Sequence, residues 1–334
     1  MQNAAIGLTM GAIAAKPALD KGLVLALAPG PSAAMTDPRP LHGILWMALT
    51  GLLFVAMTAI VKHVGPGIPA AQSGFLRYAM GLPFLIPMLR PILRAHLTRR
   101  QVGLFAFRGV FHTAAVILWF FAMTRIPLAE VTAINYLNPV WVTLGAALFL
   151  GERFRAPRLL AILAALIGAL VILRPGLREV QPGHLAMLGT AACFAVSYLV
   201  AKPLSAQVSA TVIVGMLTIT VTLGLLPFAL AVWVPPTLLQ LALFVAVAAF
   251  ATAGHYTMTL AFAAAPLAVT QPVIFLQLVW SVSVGALLFG EPVDAYVVMG
   301  GLIIVAAVTF IAWREARGAG RQATRAVALD PGAA

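Results

Sequence analysis

The chain carries too little charge to face water. Only 9% of its 334 residues are charged, against about 25% in a soluble domain. Apolar residues make up 62%, more than a soluble fold can hide, because a water-facing surface must be largely polar. Acids are scarcer still: nine, against 21 Lys and Arg. Apart from Asp294 at the very edge of the last, the apolar runs hold no Asp, which excludes an intramembrane aspartyl dyad and an Asp-rich metal–diphosphate site. The single cysteine, Cys193, lies inside an apolar run, so no internal disulfide or cysteine metal site is available and packing is its expected role. HExxH, GxSxG and P-loop motifs are absent, which argues against ATP-driven pumping by this chain alone, and no cofactor or metal is expected.

What the sequence does have is long apolar runs. A bilayer is the solvent that suits them, and about 20 apolar residues make one helix across its core of roughly 30 Å. Ten spans are read: 43–61, 70–89, 101–123, 128–149 and 157–173, then 183–201, 210–232, 238–260, 267–289 and 293–312. Pro and Gly separate them, as at Gly65-Pro66-Gly67, Pro127, Pro175-Gly176, Pro235-Pro236, Pro266 and Gly290-Glu291-Pro292. The net charge of +12 would suit nucleic acid, but the Arg residues sit in short loops between the runs. There they signal topology and meet anionic lipid headgroups, so no nucleic-acid partner is expected. With the N-terminus cytoplasmic, thirteen Lys and Arg face the cytoplasm: Arg39, Arg90, Arg94, Arg99, Arg100, Arg153, Arg155, Arg158, Lys202, Arg314, Arg317, Arg321 and Arg325. The other side holds four, Lys62, Arg125, Arg174 and Arg178. This bias predicts a multi-pass protein of a bacterial inner membrane with both termini inside.

Residues 1–40 are mixed in character. The stretch Gly22–Ala28 is too short to span, and after Lys16 and Lys21 it has the look of the apolar part of a signal peptide. The preferred reading is a disordered tail or a misplaced start. Met35 opens Met35-Thr36-Asp37-Pro38-Arg39-Pro40 directly before the first span, and N-terminal sequencing of the native protein decides whether anything precedes it.

An internal repeat organises the rest. Residues 127–152 lie on 266–291 without a gap, with ten identities in 26 positions, among them Pro127/Pro266, Trp141/Trp280 and Gly151-Glu152/Gly290-Glu291. At an offset of 140, Gly43, Met47, Thr50, Phe54 and Lys62 match Gly183, Met187, Thr190, Phe194 and Lys202. Each unit holds an odd number of spans, so the second enters the membrane inverted. Inverted repeats give a pseudo-two-fold axis in the membrane plane, and rocking about it exposes a midplane site to each side in turn.

These features resemble the drug/metabolite transporter superfamily, EamA type. The resemblance rests on ten spans in two five-span repeats, on the Pro-Leu-Ala start of the fourth and ninth spans and on their Gly-Glu ends. Its best segment is Arg108–Arg153, RGVFHTAAVILWFFAMTRIPLAEVTAINYLNPVWVTLGAALFLGER, and it covers roughly residues 41–315. It implies a carrier of amino acids, other metabolites, vitamins or drugs, in either direction. The single-repeat multidrug relatives have a coupling glutamate in their first span. Residues 43–61 contain no acid, so that scheme does not transfer.

Few residues inside the spans carry chemistry. Arg77 lies near the middle of the second span, and Arg108 and His112 share one face of the third. An anion contact is the functional reading of the two Arg; bonding to carbonyls or snorkelling to headgroups is the structural one. His112 and His255 are proton shuttles or hydrogen-bonded core residues. Glu130 binds a cation or proton, or is an N-terminal helix acid at headgroup level. Glu152 and Glu291 are expected to pair with a loop Arg or with backbone amides. A stripe of Thr132, Asn135, Asn138 and Gly145 recurs at helical spacing, with Gln271 and Gln277 at positions equivalent to Thr132 and Asn138. Such amides line a cavity or bond helix to helix. Trp46, Tyr136, Trp141, Tyr198, Tyr256 and Trp280 are candidates for an aromatic wall.

The sequence therefore predicts an all-α polytopic membrane protein of ten transmembrane helices in two inverted five-helix repeats, 41–175 and 182–315, with tails at 1–40 and 316–334. Its expected function is secondary transport of a small organic metabolite, driven by a proton gradient or by the solute gradient. The substrate-binding residues are expected to be Asn135, Asn138, Gln271 and Gln277, with His112, His255, Arg77, Trp141 and Trp280 beside them. The rival readings are an intramembrane enzyme acting on lipid-linked groups, which the missing carboxylate pairs disfavour, and a passive channel or scaffold.

Overall fold

The computed structural model describes residues 40–150, 156–177, 179–205, 207–265, 270, 273 and 275–329. Met35, Glu152, Arg178, Leu267 and Gln271 lie outside them. The described residues form helices joined by short turns. The first half runs α1 (Pro40–Val64), α2 (Ala70–Ala79), a 3-10 stretch (Leu82–Met88), α3 (Leu89–Arg94), α4 (Arg99–Met123), α5 (Leu128–Asn135), α6 (Asn138–Leu150) and α7 (Ala156–Leu173). The second runs α8 (Pro182–Ser205), α9 (Ala210–Ala231), α10 (Leu238–Ala264), α11 (Leu276–Phe289) and α12 (Ala295–Leu329).

Five of these helices are long and apolar enough to cross a membrane alone: Leu41–Val64, Arg99–Met123, Pro182–Ala201, Thr211–Ala231 and Leu238–Met258. Shorter apolar helices follow at Leu159–Leu173, Leu276–Phe289 and Ala295–Ile311. Proline explains two of the irregular spans. Pro83 and Pro87 hold the 3-10 turn between α2 and α3, because neither can donate to the helical ladder. Pro139 cannot bond the carbonyl of Asn135, and Tyr136 and Leu137 instead donate to Ala133 and Ile134, three residues back, which separates α5 from α6. At the far end, α12 continues to Leu329 through most of the segment expected to be a tail. Its Ala, Arg and Gln residues are strong helix formers, so polar composition there does not prevent helix.

The repeat is visible in local structure. Thr98 with Gln101 and Thr237 with Gln240 each form a capping box, at the starts of α4 and α10. The helix pairs that join the halves are also equivalent: α1 packs along α10 as α8 packs along α4, and α7 packs along α12. The matched residues lie in these seams. Met47 and Met187 are fully buried, as are Thr50 and Thr190. Where α7 crosses α12, a Cβ on Gly168 would lie 2.7 Å from the carbonyl oxygen of Gly300. Only glycine allows that approach, the small-residue contact typical of helices packed in lipid.

Polarity is distributed inside out. Leu45, Leu52, Val110, Leu163, Ile167, Leu223, Leu230, Leu287 and Leu302 face outward, while Gln72, Arg77, Arg108, His112, Glu130, His184 and Ser197 are buried. Water would reverse this pattern; a bilayer favours it. The chain is a multi-pass membrane protein.

Candidate functional site

Two polar regions lie within the bundle. The first sits between α2, α4, α8 and α10. One turn of α4 places Arg108 and His112 on the face toward α8, as their spacing implies. His112 Nδ1 is 3.1 Å from Ser197 Oγ, and its Nε2 is 3.0 Å from Tyr78 Oη. Arg108 donates from Nε to Ser197 Oγ at 3.3 Å and from Nη1 to the Ile213 carbonyl at 3.4 Å. One assignment satisfies this chain: Ser197 accepts from Arg108 and donates to His112 Nδ1, and Nε2–H donates to Tyr78.

Rings surround these groups. His112 packs on Phe194 with centroids 4.8 Å apart, and His255 packs edge-on to Phe54 at 5.2 Å. Phe54 and Phe194 are repeat-matched, and each meets a histidine of the long helix it packs along, although His255 lies one turn beyond the position equivalent to His112. Tyr198 stacks on Phe194, and Trp119 meets the same ring edge-on with its Nε1 buried and unpartnered. The Arg77 guanidinium lies over the Tyr78 ring, 4.3 Å from its centroid.

The fourth-span stripe divides at the proline break. Thr132 Oγ1 meets Ser281 Oγ at 2.6 Å, a buried bond between α5 and α11, so this member joins helices. Asn135 and Asn138, both half-buried, flank the break, and Asn135 Oδ1 is a buried acceptor with no partner. Trp141 is half-buried with an unpartnered Nε1. Gln277 and Trp280 pack against Gly51 of α1. Gln271 lies outside the described residues. Of the expected site residues, Arg77, His112 and His255 come together; Asn135, Asn138 and Trp141 gather at the break; Gln277 and Trp280 sit at the α1–α11 contact. Tyr78, Ser197, Phe54, Phe194 and Trp119 were not anticipated. The repeat match of Phe54 with Phe194 was the one sequence signal for any of them.

The second region is a cavity of about 320 Å³ at one end of the bundle. Four of the chain's nine acids line it: Glu130, Glu179, Glu291 and Asp294. Glu130 is buried against His184, whose Nδ1 accepts the Gln181 backbone N–H at 2.9 Å. Asp294 pairs with Arg174. Glu291 follows Gly290, a left-handed residue (φ 63°) that turns the chain back after α11. It pairs with Lys62 at the end of α1, and its Oε2 accepts the Leu128 N–H at 2.9 Å, capping α5. Lys62 also donates to the Ile126 carbonyl at 2.9 Å. The Gly-Glu end of one half thus closes on the Lys and the Pro-Leu-Ala start of the other.

Comparison with known proteins gives one answer. The EamA-like transporter family matches residues 41–174 and 181–313. A riboflavin transporter of Rhizobium johnstonii is 30% identical over 86% of this chain and 96% of that protein. A pseudopaline exporter of Pseudomonas aeruginosa is 30% identical over 79% of this chain and 94% of its own length. An S-adenosylmethionine uptake transporter of Rickettsia prowazekii is 23% identical over 82% of this chain and 94% of that one. A solved crystal structure, 20% identical, covers 82% of this chain and 97% of its own with a TM-score of 0.52, so the fold is shared. With both halves matched and relatives that are named transporters rather than enzymes, the chain belongs to the EamA-like transporter family.

Proposed function

We propose that this protein is a secondary carrier that moves a small, largely planar organic metabolite across a bacterial inner membrane by alternating access. The relatives are named for three small organic metabolites, two by uptake or transport and one by export, so direction does not follow from the family. Ten spans in two inverted repeats, with both termini cytoplasmic, fit the thirteen-to-four charge bias and put the Glu291 cluster on the outer side.

The observation that carries the proposal is that cluster. Lys62, Glu291 and the Leu128 N–H tie the two halves together at one end, and every part is repeated in register as Lys202, Glu152 and Leu267. An inverted repeat sends the second set to the opposite face. In the carrier it closes when the first opens, and the ring-lined middle meets each side in turn. The substrate contacts are Arg77, His112 and His255 with Asn135, Asn138, Trp141, Gln271, Gln277 and Trp280. The buried Glu130–His184 pair supports proton coupling. With Nδ1 occupied by the Gln181 amide, the ring carries its proton on Nε2 toward Glu130, so the carboxylate is the group that takes up a further proton.

Solute counterflow in proteoliposomes tests the carrier. Saturable exchange of labelled for unlabelled solute is expected, reduced in Asn138→Ala and Gln277→Ala at normal insertion. Flux that never saturates would mark a channel instead.

A further inference from the structure

We infer that the substrate carries an oxyanion, a carboxylate or a phosphate ester, and that Arg77 and Arg108 hold it. This rests on the carrier reading. A charge deep in a membrane protein is expensive and needs a partner. Both residues are buried, Arg77 at 8% and Arg108 at 5% exposure. Neither has a carboxylate among the described residues, where the ion pairs are Lys62–Glu291, Arg174–Asp294 and His184–Glu130, all at the cavity end. Arg77 has its Nε–H buried without a partner and rests on the Tyr78 ring. The two hydrogen bonds of Arg108, at 3.3 and 3.4 Å, are long for a charged donor.

The two Arg act on one place. His112 and Tyr198 each lie within electrostatic range of both. His112 bonds Tyr78, which carries Arg77 on its face, and shares Ser197 with Arg108. The arrangement is two positive forks around a patch of rings, with no acid among the described residues to neutralise them. A planar guanidinium matches a carboxylate or phosphate with paired N–H donors. Tyr78, Phe194, Tyr198 and Trp119 offer faces and edges to the flat remainder of the same molecule. A purely structural role predicts Arg donors saturated by carboxylates or carbonyls, whereas Arg108 reaches one carbonyl and one hydroxyl at long distance and Arg77 leaves its Nε–H unused.

The test compares charge-matched probes on the purified full-length protein. Ligand-induced thermal stabilisation is titrated with riboflavin 5′-phosphate against riboflavin, and with 3-phenylpropionate against its amide. In the native protein the anion of at least one pair should bind about tenfold or more tighter than its neutral partner. The pair that responds tells phosphate from carboxylate. Arg77→Met and Arg108→Met should remove that advantage, bringing anion binding down to the level of the neutral partner, and Arg77→Lys and Arg108→Lys should keep part of it. Without ligand, Arg77→Met should melt no lower than the native protein, because it removes a buried charge that has no carboxylate partner among the described residues. Equal binding of charged and neutral partners, or an anion preference that survives both Met variants, overturns the assignment. Counterflow of the same probes separates the two readings. Anion-selective binding without counterflow would sink the carrier and leave the oxyanion site; counterflow without anion selectivity would sink the oxyanion site alone.

Discussion

Glu291→Ala should slow counterflow by about 30- to 100-fold, the equivalent of ~2–3 kcal/mol. The carboxylate does two jobs. It neutralises Lys62, and it accepts the Leu128 N–H that opens α5. Lys62 and Glu291 are mostly buried, with side chains 17% and 12% exposed. Breaking a fully buried pair costs about 3–5 kcal/mol, and partial access to water reduces that figure. The loss falls on the state in which this end is closed, so it shifts the balance between states more than the stability of either half. The charge swap Lys62→Glu with Glu291→Lys should recover the ion pair but not the cap, because an ammonium cannot accept an N–H. Partial rescue is therefore expected, with rates between those of the native protein and Glu291→Ala. Native-rate counterflow in Glu291→Ala, at equal reconstitution, would remove this contact from the transport cycle.

Glu130→Gln should uncouple transport from the proton gradient. Accumulation driven by an imposed pH gradient is expected to fall at least tenfold or so, with counterflow changed by no more than about twofold, since exchange needs no net proton movement. The amide keeps the size of the side chain and an acceptor for His184 Nε2–H, so packing changes little. It cannot carry a proton on and off. The groups that share this cavity set the electrostatic background: Glu179, Glu291 and Asp294 from the acids, with Lys62 and Arg174 paired to the last two. His184→Ala should weaken coupling less than Glu130→Gln, because the proton acceptor remains. Gradient-driven accumulation that persists in Glu130→Gln would place coupling elsewhere.

Much of this architecture was legible because lipid and proline leave strong marks. The apolar runs, the Pro and Gly breaks between them and the repeat register all read directly from residue order. The register makes Glu291 equivalent to Glu152, and Lys62 to Lys202. Equivalence is not contact, however, and nothing in one dimension says that Glu291 reaches Lys62 in the other half. Helical spacing correctly put Arg108 and His112 on one face, but their partners Tyr78 and Ser197 come from other helices. The polar stripe was read through Pro139 as if α5 and α6 were one helix. The break between them resets the angular phase, so Thr132 bonds α11 while Asn135 and Asn138 flank a gap. Glu130 at the first turn of α5 was legible as an N-terminal acid; that it is buried against His184 follows only from the approach of α8.

The central claim is that the two halves close opposite ends of one path in turn, and paired cysteine cross-links test it most directly. Lys62→Cys with Glu291→Cys reports one end, and Lys202→Cys with Glu152→Cys the other, in a protein whose native Cys193 is replaced by Ala. Each cross-link should stop counterflow and be reversed by reduction. With the first pair locked, the second should fail to form, and the reverse should hold. Both cross-links forming together in the same molecules, with counterflow continuing, would contradict alternating closure.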